Sequence, residues 1–353
     1  MRNHLAAWLL ALGITNMLHA DTLVYVSDGG GQQIVVYQIS EETGELKLIE
    51  KVDVQAGTGS LAVEPEHKFL FASLRSTSTL ASYRIGSGGK LDPINATSLD
   101  PQANATYVST DQQGKYLFSA SYSGGRVAVH SIEDGKLSEQ PLQTIDTAKT
   151  AHAAVVSGDN RWMFVPHVAP NVIYQFRLDK ASGKLTPHEH ANGGREGAGP
   201  RHLAIHPSQK FACSSDESGN SITLYSLDAE TGLKPLQTLS TLPRDFDGKN
   251  STADVKFHPS GKFVWVSNRG HDSLAGFRFD ADQSQLTALG QTPTEKTPRS
   301  FDVSPSGKWL FGAGEGNGKL AVYRIDNASG KLEPLTSYNV GKSLSWVLAV
   351  ERE

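Results

Sequence analysis

The chain has little of several features that define large classes of protein. It contains one cysteine, Cys213, so no disulfide can form within the chain. No stretch is strongly basic and the formal net charge is −4, which argues against a nucleic-acid partner. Apolar residues with a helical spacing are confined to the extreme N-terminus, so the rest of the chain is not expected to be helical.

Two kinds of catalytic signature are also absent from the sequence. There is no GxSxG elbow of the kind that presents a nucleophilic serine. No carboxylate cluster has the spacing of a metal site, so neither a metal nor an obligatory cofactor is expected.

The most informative feature of the sequence is a repeat that occurs seven times along almost the whole chain. Each copy is a strand, a turn that usually contains glycine, and a leucine, and the successive spacings are 45, 46, 48, 48, 53 and 46 residues. The seven turn leucines are Leu46, Leu91, Leu137, Leu185, Leu233, Leu286 and Leu332. The period predicts an all-β chain, a seven-bladed β-propeller with four antiparallel strands per blade.

A second marker shows how the ring should close. A turn of the PSGK type lies between two apolar stretches in six copies, with its basic residue at Lys68, Lys115, Arg161, Lys210, Lys262 and Lys308. The seventh copy is split between the N-terminal segment Leu23–Asp28 and the C-terminal segment Ser345–Val350. We therefore expect N-terminal strands to pair with the C-terminal strand, which leaves no open edge.

The first twenty residues are expected to be a signal peptide. Arg2 precedes an apolar run around residues 5–17, and Ala20 stands before Asp21. This predicts a single propeller domain over residues 21–353, exported to the periplasm and not membrane-bound after cleavage; an uncleaved anchor is the alternative. The sequence leaves open whether the mature protein is a monomer or a homodimer.

Comparing equivalent positions between blades predicts a site. Nine residues before each basic marker, where a first strand begins, lie Gly59, Thr106, His152, Arg201, Ala253 and Arg299. Seven residues after each marker, where a second strand ends, lie Arg75, Tyr122, Val168, Glu217, Arg269 and Glu315. Adjacent strands are antiparallel, so both sets should surround one mouth of the central channel. Their chemical variety favours a site over a purely structural role.

At these positions the chain resembles the seven-bladed propeller lactonases, which include the bacterial 6-phosphogluconolactonases. The resemblance spans residues 23–350 and is most specific in EGAGPRHLAIHP, SSDESGNSITLY, TADVKFHPSGKFVWVSNRG and TPRSFDVSPSGKWLF. It implies lactone hydrolysis at an active site formed by His152, Arg201, Glu217 and Arg299. It also places Arg75, Asp254 and Arg269 nearby, and we expect these three, with Tyr122 and Glu315, to bind substrate.

Lactone hydrolysis needs an activated water and a stabilised oxyanion. Glu217 is the expected general base, with His152 as the alternative base or as the acid for the leaving oxygen. Arg201 and Arg299 are suited to the oxyanion. Because an exported enzyme meets unphosphorylated sugars, glucono-δ-lactone is the favoured substrate. The alternatives are 6-phosphogluconolactone, the lactonising of an unsaturated diacid of the carboxymuconate type, and a non-catalytic interaction scaffold.

Overall fold

The computed structural model describes residues 21–101 and 103–352, and these form seven antiparallel sheets arranged as the blades of a propeller. Blades 1 to 3 consist of β1 (Asp21–Asp28), β2 (Gln33–Ile39) and β3 (Leu46–Asp53) with β29 (Leu344–Arg352) inside them; β4 (Thr58–Val63), β5 (Phe69–Leu74), β6 (Thr79–Ile85) and β7 (Leu91–Ser98); and β8 (Ala105–Thr110), β9 (Tyr116–Ser121), β10 (Arg126–Glu133), β11 (Lys136–Leu137) and β12 (Gln143–Asp146). Blades 4 to 7 consist of β13 (Val155–Val156), β14 (Trp162–His167), β15 (Val172–Leu178) and β16 (Leu185–Asn192); β17 (Pro200–Ile205), β18 (Phe211–Asp216), β19 (Ser221–Asp228) and β20 (Gly232–Ser240); β21 (Thr252–Phe257), β22 (Phe263–Asn268), β23 (Ser273–Asp280) and β24 (Gln285–Pro293); and β25 (Pro298–Val303), β26 (Trp309–Gly314), β27 (Lys319–Ile325) and β28 (Leu332–Asn339).

The all-β prediction and the blade count are confirmed. Within the described part of the chain the helical segments are two short 3-10 turns, η1 (Arg75–Thr77) and η2 (Ser87–Gly89). The fourth strand of blade 3 is interrupted, so β11 and β12 each pair with β10. No helix among residues 21–101 and 103–352 is long and apolar enough to cross a membrane. The predicted signal peptide, residues 1–20, lies outside the described residues.

The ring closes as the split marker predicts. β29 is the innermost strand of blade 1 and pairs antiparallel with β1, with Leu23 opposite Val350. The last strand of the described residues therefore completes the first blade. An apolar cluster packs this blade against blade 7, with Val24 and Val26 on one side and Trp309 and Phe311 on the other.

The core lies between neighbouring blades because the second strands are buried on both faces. β9, β14, β22 and β26 have no exposed residue, and apart from His167 and Asn268 at the ends of β14 and β22 their residues are apolar or small. The outermost strands are largely exposed, as in β28, where only Leu332 is buried. Each blade thus contributes both faces to the core and its outer edge to solvent.

The turn before each repeated leucine is a contact between blades. Gly44, with a φ of +78°, packs so closely on blade 7 that an added Cβ would lie 2.6 Å from Trp309 Cζ3. The equivalent turn of blade 6 contains Ser284, which adopts a φ of +51°. Glycine recurs in this turn because the backbone there is left-handed, and at Gly44 also because an aromatic ring fills the space of a side chain.

Candidate active site

The innermost strands converge on one mouth of the channel and gather the residues found by comparing blades. The depression there is lined by Gly59, Ser60, Arg75, Thr106, His152, Arg201, His202, Arg299, Ser345 and Trp346. Five of the six positions counted nine residues before a basic marker are in this set, and Arg75 comes from the second set. The enclosed floor of the depression has a volume of about 20 Å³, enough for about one water or one oxygen-sized group. A larger ligand must lie above it, in the open mouth.

A β-bulge at the start of the innermost strand shapes blade 5 at this mouth. Pro200 pairs with Asp216, but the next pair along the ladder is His202 with Ser215, so Arg201 has no partner of its own. Similar irregularities occur at the start of β4, β8, β21 and β25. A bulge redirects side chains locally, and here it lets the consecutive residues Arg201 and His202 both line the depression.

Glu217 lies between two arginines. Its Oε1 accepts a 2.5 Å hydrogen bond from Arg269 Nη2, and its Oε2 is 3.7 Å from Arg201 Nε. Burial alone would raise the pKa of Glu217, but the guanidiniums of Arg201 and Arg269 outweigh burial and hold the pKa below its ordinary value. The carboxylate is therefore ionised at neutral pH.

Arg201 is fixed in place by its surroundings. Its side chain is 1% exposed, and Nη1 donates to the carbonyl of Ala253 at 2.7 Å. Its Nε has no hydrogen-bond partner among the described residues, and neither has the nearby Oε2 of Glu217. Buried polar atoms without partners are uncommon in proteins, so a donor and an acceptor left together in this way indicate a place for a ligand or a bound water.

A second arginine–carboxylate pair lies across the mouth. Arg299 Nη1 is 3.5 Å from Glu315 Oε2, and both side chains are partly exposed. Arg75 is the neighbouring guanidinium, and its Nε donates to Asn104 Oδ1 at 3.2 Å. No carboxylate of the described chain lies within ion-pair distance of Arg75, whereas Arg201, Arg269 and Arg299 each have one. Burial and the charge of Arg299 both lower the pKa of Arg75, so an anion bound beside it would relieve an unfavourable environment.

His152 occupies the break in the innermost strand of blade 4, where β13 is only two residues long. Its backbone N–H donates to the Pro166 carbonyl, and its ring packs edge-on against Tyr122 and against His202. Burial and the charge of Arg201 hold the pKa of His152 well below its usual value, so the imidazole is neutral. Its Nδ1 has no hydrogen-bond partner in the described part of the protein.

Asp254 lies beneath the mouth rather than in it, whereas the sequence predicts that Asp254 binds substrate. The side chain is 2% exposed. Oδ1 accepts from His202 Nδ1 and from the Val255 amide, while Oδ2 accepts from Ser300 Oγ and from the Phe301 amide. All the hydrogen-bonding capacity of this carboxylate is thus used within the protein.

His202 is a site residue that the blade comparison missed. It stands eight residues before Lys210, the same register as Asp254 before Lys262, so a comparison of this second position in every blade could have found it. Its ring packs against Tyr107 and Trp346 across the channel. Below this layer, a cavity of about 250 Å³ lined partly by Lys256 and Pro259 continues toward the other face.

No group of three or more His, Cys, Asp or Glu side chains suited to holding a metal ion occurs within residues 21–101 and 103–352. The charged groups at the mouth are instead arginine–carboxylate pairs. The expectation that the protein needs no cofactor stays a prediction.

The family model described as "Lactonase, 7-bladed beta-propeller" matches residues 22–349. The chain therefore belongs to the seven-bladed β-propeller lactonase family, and it is a lactonase, a carboxylic ester hydrolase.

Particular relatives extend this assignment. The 6-phosphogluconolactonase of Pectobacterium carotovorum is 36% identical over 92% of this chain and 97% of its own length. That of Serratia proteamaculans is also 36% identical, over 92% of this chain and 98% of its own length. The structure of the periplasmic gluconolactonase of Pseudomonas aeruginosa has a TM-score of 0.82 at 26% identity, covering 94% of this chain and 99% of that one.

Proposed function

We propose that this lactonase hydrolyses 6-phosphoglucono-δ-lactone to 6-phosphogluconate. This substrate is one of the alternatives to glucono-δ-lactone that the sequence leaves open. Two curated relatives that are 36% identical over nearly their whole length bear the name 6-phosphogluconolactonase. The observation that carries the proposal is Arg75, the guanidinium at the mouth without a carboxylate partner in the described chain. A phosphate dianion is a ligand that a guanidinium binds through paired, charge-assisted hydrogen bonds.

The charge balance at the mouth supports an anionic substrate. Four guanidiniums, those of Arg75, Arg201, Arg269 and Arg299, face two carboxylates, those of Glu217 and Glu315. Their sum is an excess of two positive charges in a partly buried depression. A phosphorylated lactone neutralises this excess, whereas a neutral lactone leaves it in place.

The mechanism requires water to attack the lactone carbonyl and give up a proton, after which the bond to the ring oxygen breaks and that oxygen takes up a proton as the new hydroxyl group. We assign the general base to Glu217, because Oε2 is ionised and has no hydrogen-bond partner in the described chain. Arg201, whose Nε is likewise without a partner there, donates to the developing oxyanion together with Arg299. Proton transfer of this kind typically contributes about 10²- to 10⁴-fold, and one oxyanion donor about 10²- to 10³-fold.

His152 has a different role in this scheme. Beside the two charged guanidiniums of Arg201 and Arg299, a third positive charge on the His152 ring is unfavourable, so His152 is poorly suited to hold the proton taken from water. Its neutral ring can still direct the attacking water or the leaving ring oxygen through a hydrogen bond. His152→Gln, which keeps a polar group there, should therefore cost less in kcat than Glu217→Gln.

The test is the ratio of kcat/KM for the phosphorylated and unphosphorylated lactones. Arg75→Gln should lower kcat/KM for 6-phosphoglucono-δ-lactone by about 10- to 100-fold, the worth of one charge-assisted hydrogen-bond set. It should change kcat/KM for glucono-δ-lactone by less than about threefold. Arg84→Gln is the matched control, since Arg84 lies in the same blade and stacks on Phe69. A wild-type preference for glucono-δ-lactone would overturn the substrate assignment.

Glucono-δ-lactone remains the second candidate, because the N-terminal segment predicts export and because a relative of similar fold is named a periplasmic gluconolactonase. Periplasmic localisation is part of this second proposal. The measurement is N-terminal sequencing of protein from the exported fraction of the native cells. A mature N-terminus at Asp21, with equal turnover of both lactones, would favour this candidate over the first.

The remaining two readings are decided by the same assays. A lactonising enzyme for unsaturated diacids would turn over a muconate-type substrate and neither sugar lactone. A non-catalytic scaffold would turn over none of them, which the family assignment already argues against.

A further inference from the structure

We propose that His202 and Asp254 are positioning residues, which hold the guanidinium of Arg201 in the orientation that the reaction needs. The proposal rests on the function proposed above and names two residues that act through Arg201: His202, beside Arg201 in the depression, and Asp254, beneath it. Neither is placed in contact with the substrate.

The hydrogen bonds fix the protonation pattern of His202. Its Nε2 is 3.2 Å from Arg201 Nη1, and its Nδ1 is 2.8 Å from Asp254 Oδ1. A guanidinium can only donate, so Nε2 must be the unprotonated acceptor and Nδ1 must carry the hydrogen. The ring is therefore neutral, with its Nδ1–H donated to the carboxylate. The pKa of His202 agrees, since burial and the charge of Arg201 lower it to about 4.

Asp254 selects this tautomer and is itself held from two blades. The Val255 amide belongs to the same strand, while Ser300 Oγ and the Phe301 amide belong to β25 of the next blade. Ser300 directly follows Arg299, so the carboxylate that orients His202 is also tied to the strand that presents the second oxyanion arginine. The arrangement links the two arginines of the proposed oxyanion site through one buried carboxylate.

The imidazole has little freedom to turn away from Arg201. It packs against Tyr107, Trp346 and His152, with ring centroids 5.4, 5.6 and 5.1 Å away. Arg201 Nη1 meanwhile has one other acceptor, the carbonyl of Ala253. Two acceptors at fixed positions constrain one guanidinium nitrogen. Nε, which has no hydrogen-bond partner among the described residues, is thereby held 3.7 Å from Glu217 Oε2, where it can donate to the oxyanion.

The contribution of His202 should appear in kcat rather than in KM, because an orienting contact acts on the oxyanion that forms in the transition state. If His202 had only a structural role, the loss of kcat in its variants would instead parallel their loss of thermal stability. Substitution of His202 by asparagine or by glutamine distinguishes the roles of the two ring nitrogens. Asparagine can replace the Nδ1 donor to Asp254, and glutamine can replace the Nε2 acceptor for Arg201.

The experiment is a kinetic comparison with a double-mutant cycle on the better of the two sugar lactones. His202→Asn should lower kcat by about 10- to 100-fold, with KM within about threefold of wild type, and His202→Gln should restore most of the loss. In an Arg201→Ala background, His202→Asn should cost less than about threefold. Equal loss in both backgrounds, or an equal loss for both His202 variants, would overturn the proposal.

Nitrogen NMR of the imidazoles supplies a readout that does not depend on turnover. Wild-type His202 should show the neutral Nδ1–H tautomer. Asp254→Asn should shift it toward Nε2–H, because the asparagine amide can donate to Nδ1, and kcat should fall with that shift. An Nε2–H tautomer in the wild type would refute the inference even for an active lactonase. If the wild type hydrolyses neither sugar lactone, the proposed function fails separately.

Discussion

Gly44→Ala tests the seam between the first and last blades. Gly44 has a left-handed φ of +78°, and a Cβ there would lie 2.6 Å from Trp309 Cζ3 and 2.8 Å from Leu335 Cδ1. The matched control is Gly88→Ala, because Gly88 has a φ of +65° and an added Cβ meets nothing within 4 Å. The two variants share the backbone strain and differ only in packing.

The expected losses follow from these two terms. A non-glycine residue in the left-handed region costs about 1 kcal/mol, which is the whole expected effect of Gly88→Ala. Forcing a methyl group into filled space costs a further 1 to 3 kcal/mol or so, because the Trp309 ring is buried and cannot move aside freely. Gly44→Ala should therefore lose about 2 to 4 kcal/mol of the free energy of unfolding.

The assay is thermal unfolding followed by circular dichroism at one fixed scan rate. At about 2 °C per kcal/mol for a chain of this size, Gly88→Ala should lower Tm by about 2 °C and Gly44→Ala by about 4 to 8 °C. Equal shifts in Tm would mean that the ring of Trp309 yields to the methyl group. The packing argument for the repeated turn glycine would then be refuted.

Three further predictions concern single residues. Glu217→Gln should lower kcat by about 10²- to 10⁴-fold, while Glu315→Gln, which removes the carboxylate paired with Arg299, should lower it by less than about tenfold. Because Arg201 and Arg269 keep the pKa of Glu217 low, wild-type kcat/KM should stay level through the pH range in which a free glutamate titrates and fall only below that range. A fall of kcat/KM within the range itself would contradict Glu217 as the base. Burial raises the pKa of Asp216 to about 7, so the folded state favours the neutral acid. The free energy of unfolding should therefore fall by up to about 4 kcal/mol as pH rises from about 4 to above 7. Asp216→Asn should remove this pH dependence of the free energy of unfolding, measured by urea titration at each pH, and an unchanged pH dependence would assign it to other groups. Ser284→Gly should raise the free energy of unfolding by about 0.5 to 1 kcal/mol, and a loss would show that the serine side chain makes a stabilising contact.

Sequence periodicity predicted the blades because each blade repeats the same physical problem. The turn leucines and the basic turn residues recur where every blade must bury a strand and reverse direction, so counting between them also located the mouth. The split marker predicted the pairing of β1 with β29 for the same reason. Six residues counted in this way line one depression.

Pairings across the mouth could not be predicted in the same way. Position within a blade does not say which arginine approaches Glu217, since Arg201 and Arg269 come from neighbouring blades and Arg299 from the next one. His202 was missed because the count took one residue per strand, whereas the bulge at Pro200 brings two consecutive side chains to the channel. Asp254 was found, but its burial and its four hydrogen-bond donors depend on tertiary packing that no spacing records.

The position of β29 sets a limit on how the protein can fold while it is being synthesised. The innermost strand of blade 1 is formed by the last nine described residues, Leu344–Arg352. Blades 2 to 7 can therefore form in order on the ribosome, while the inner edge of blade 1 is still unpaired. The ring is completed only after Leu344–Arg352 have been synthesised. A chain truncated before Leu344 would keep every proposed catalytic residue and still have no closed ring to hold them.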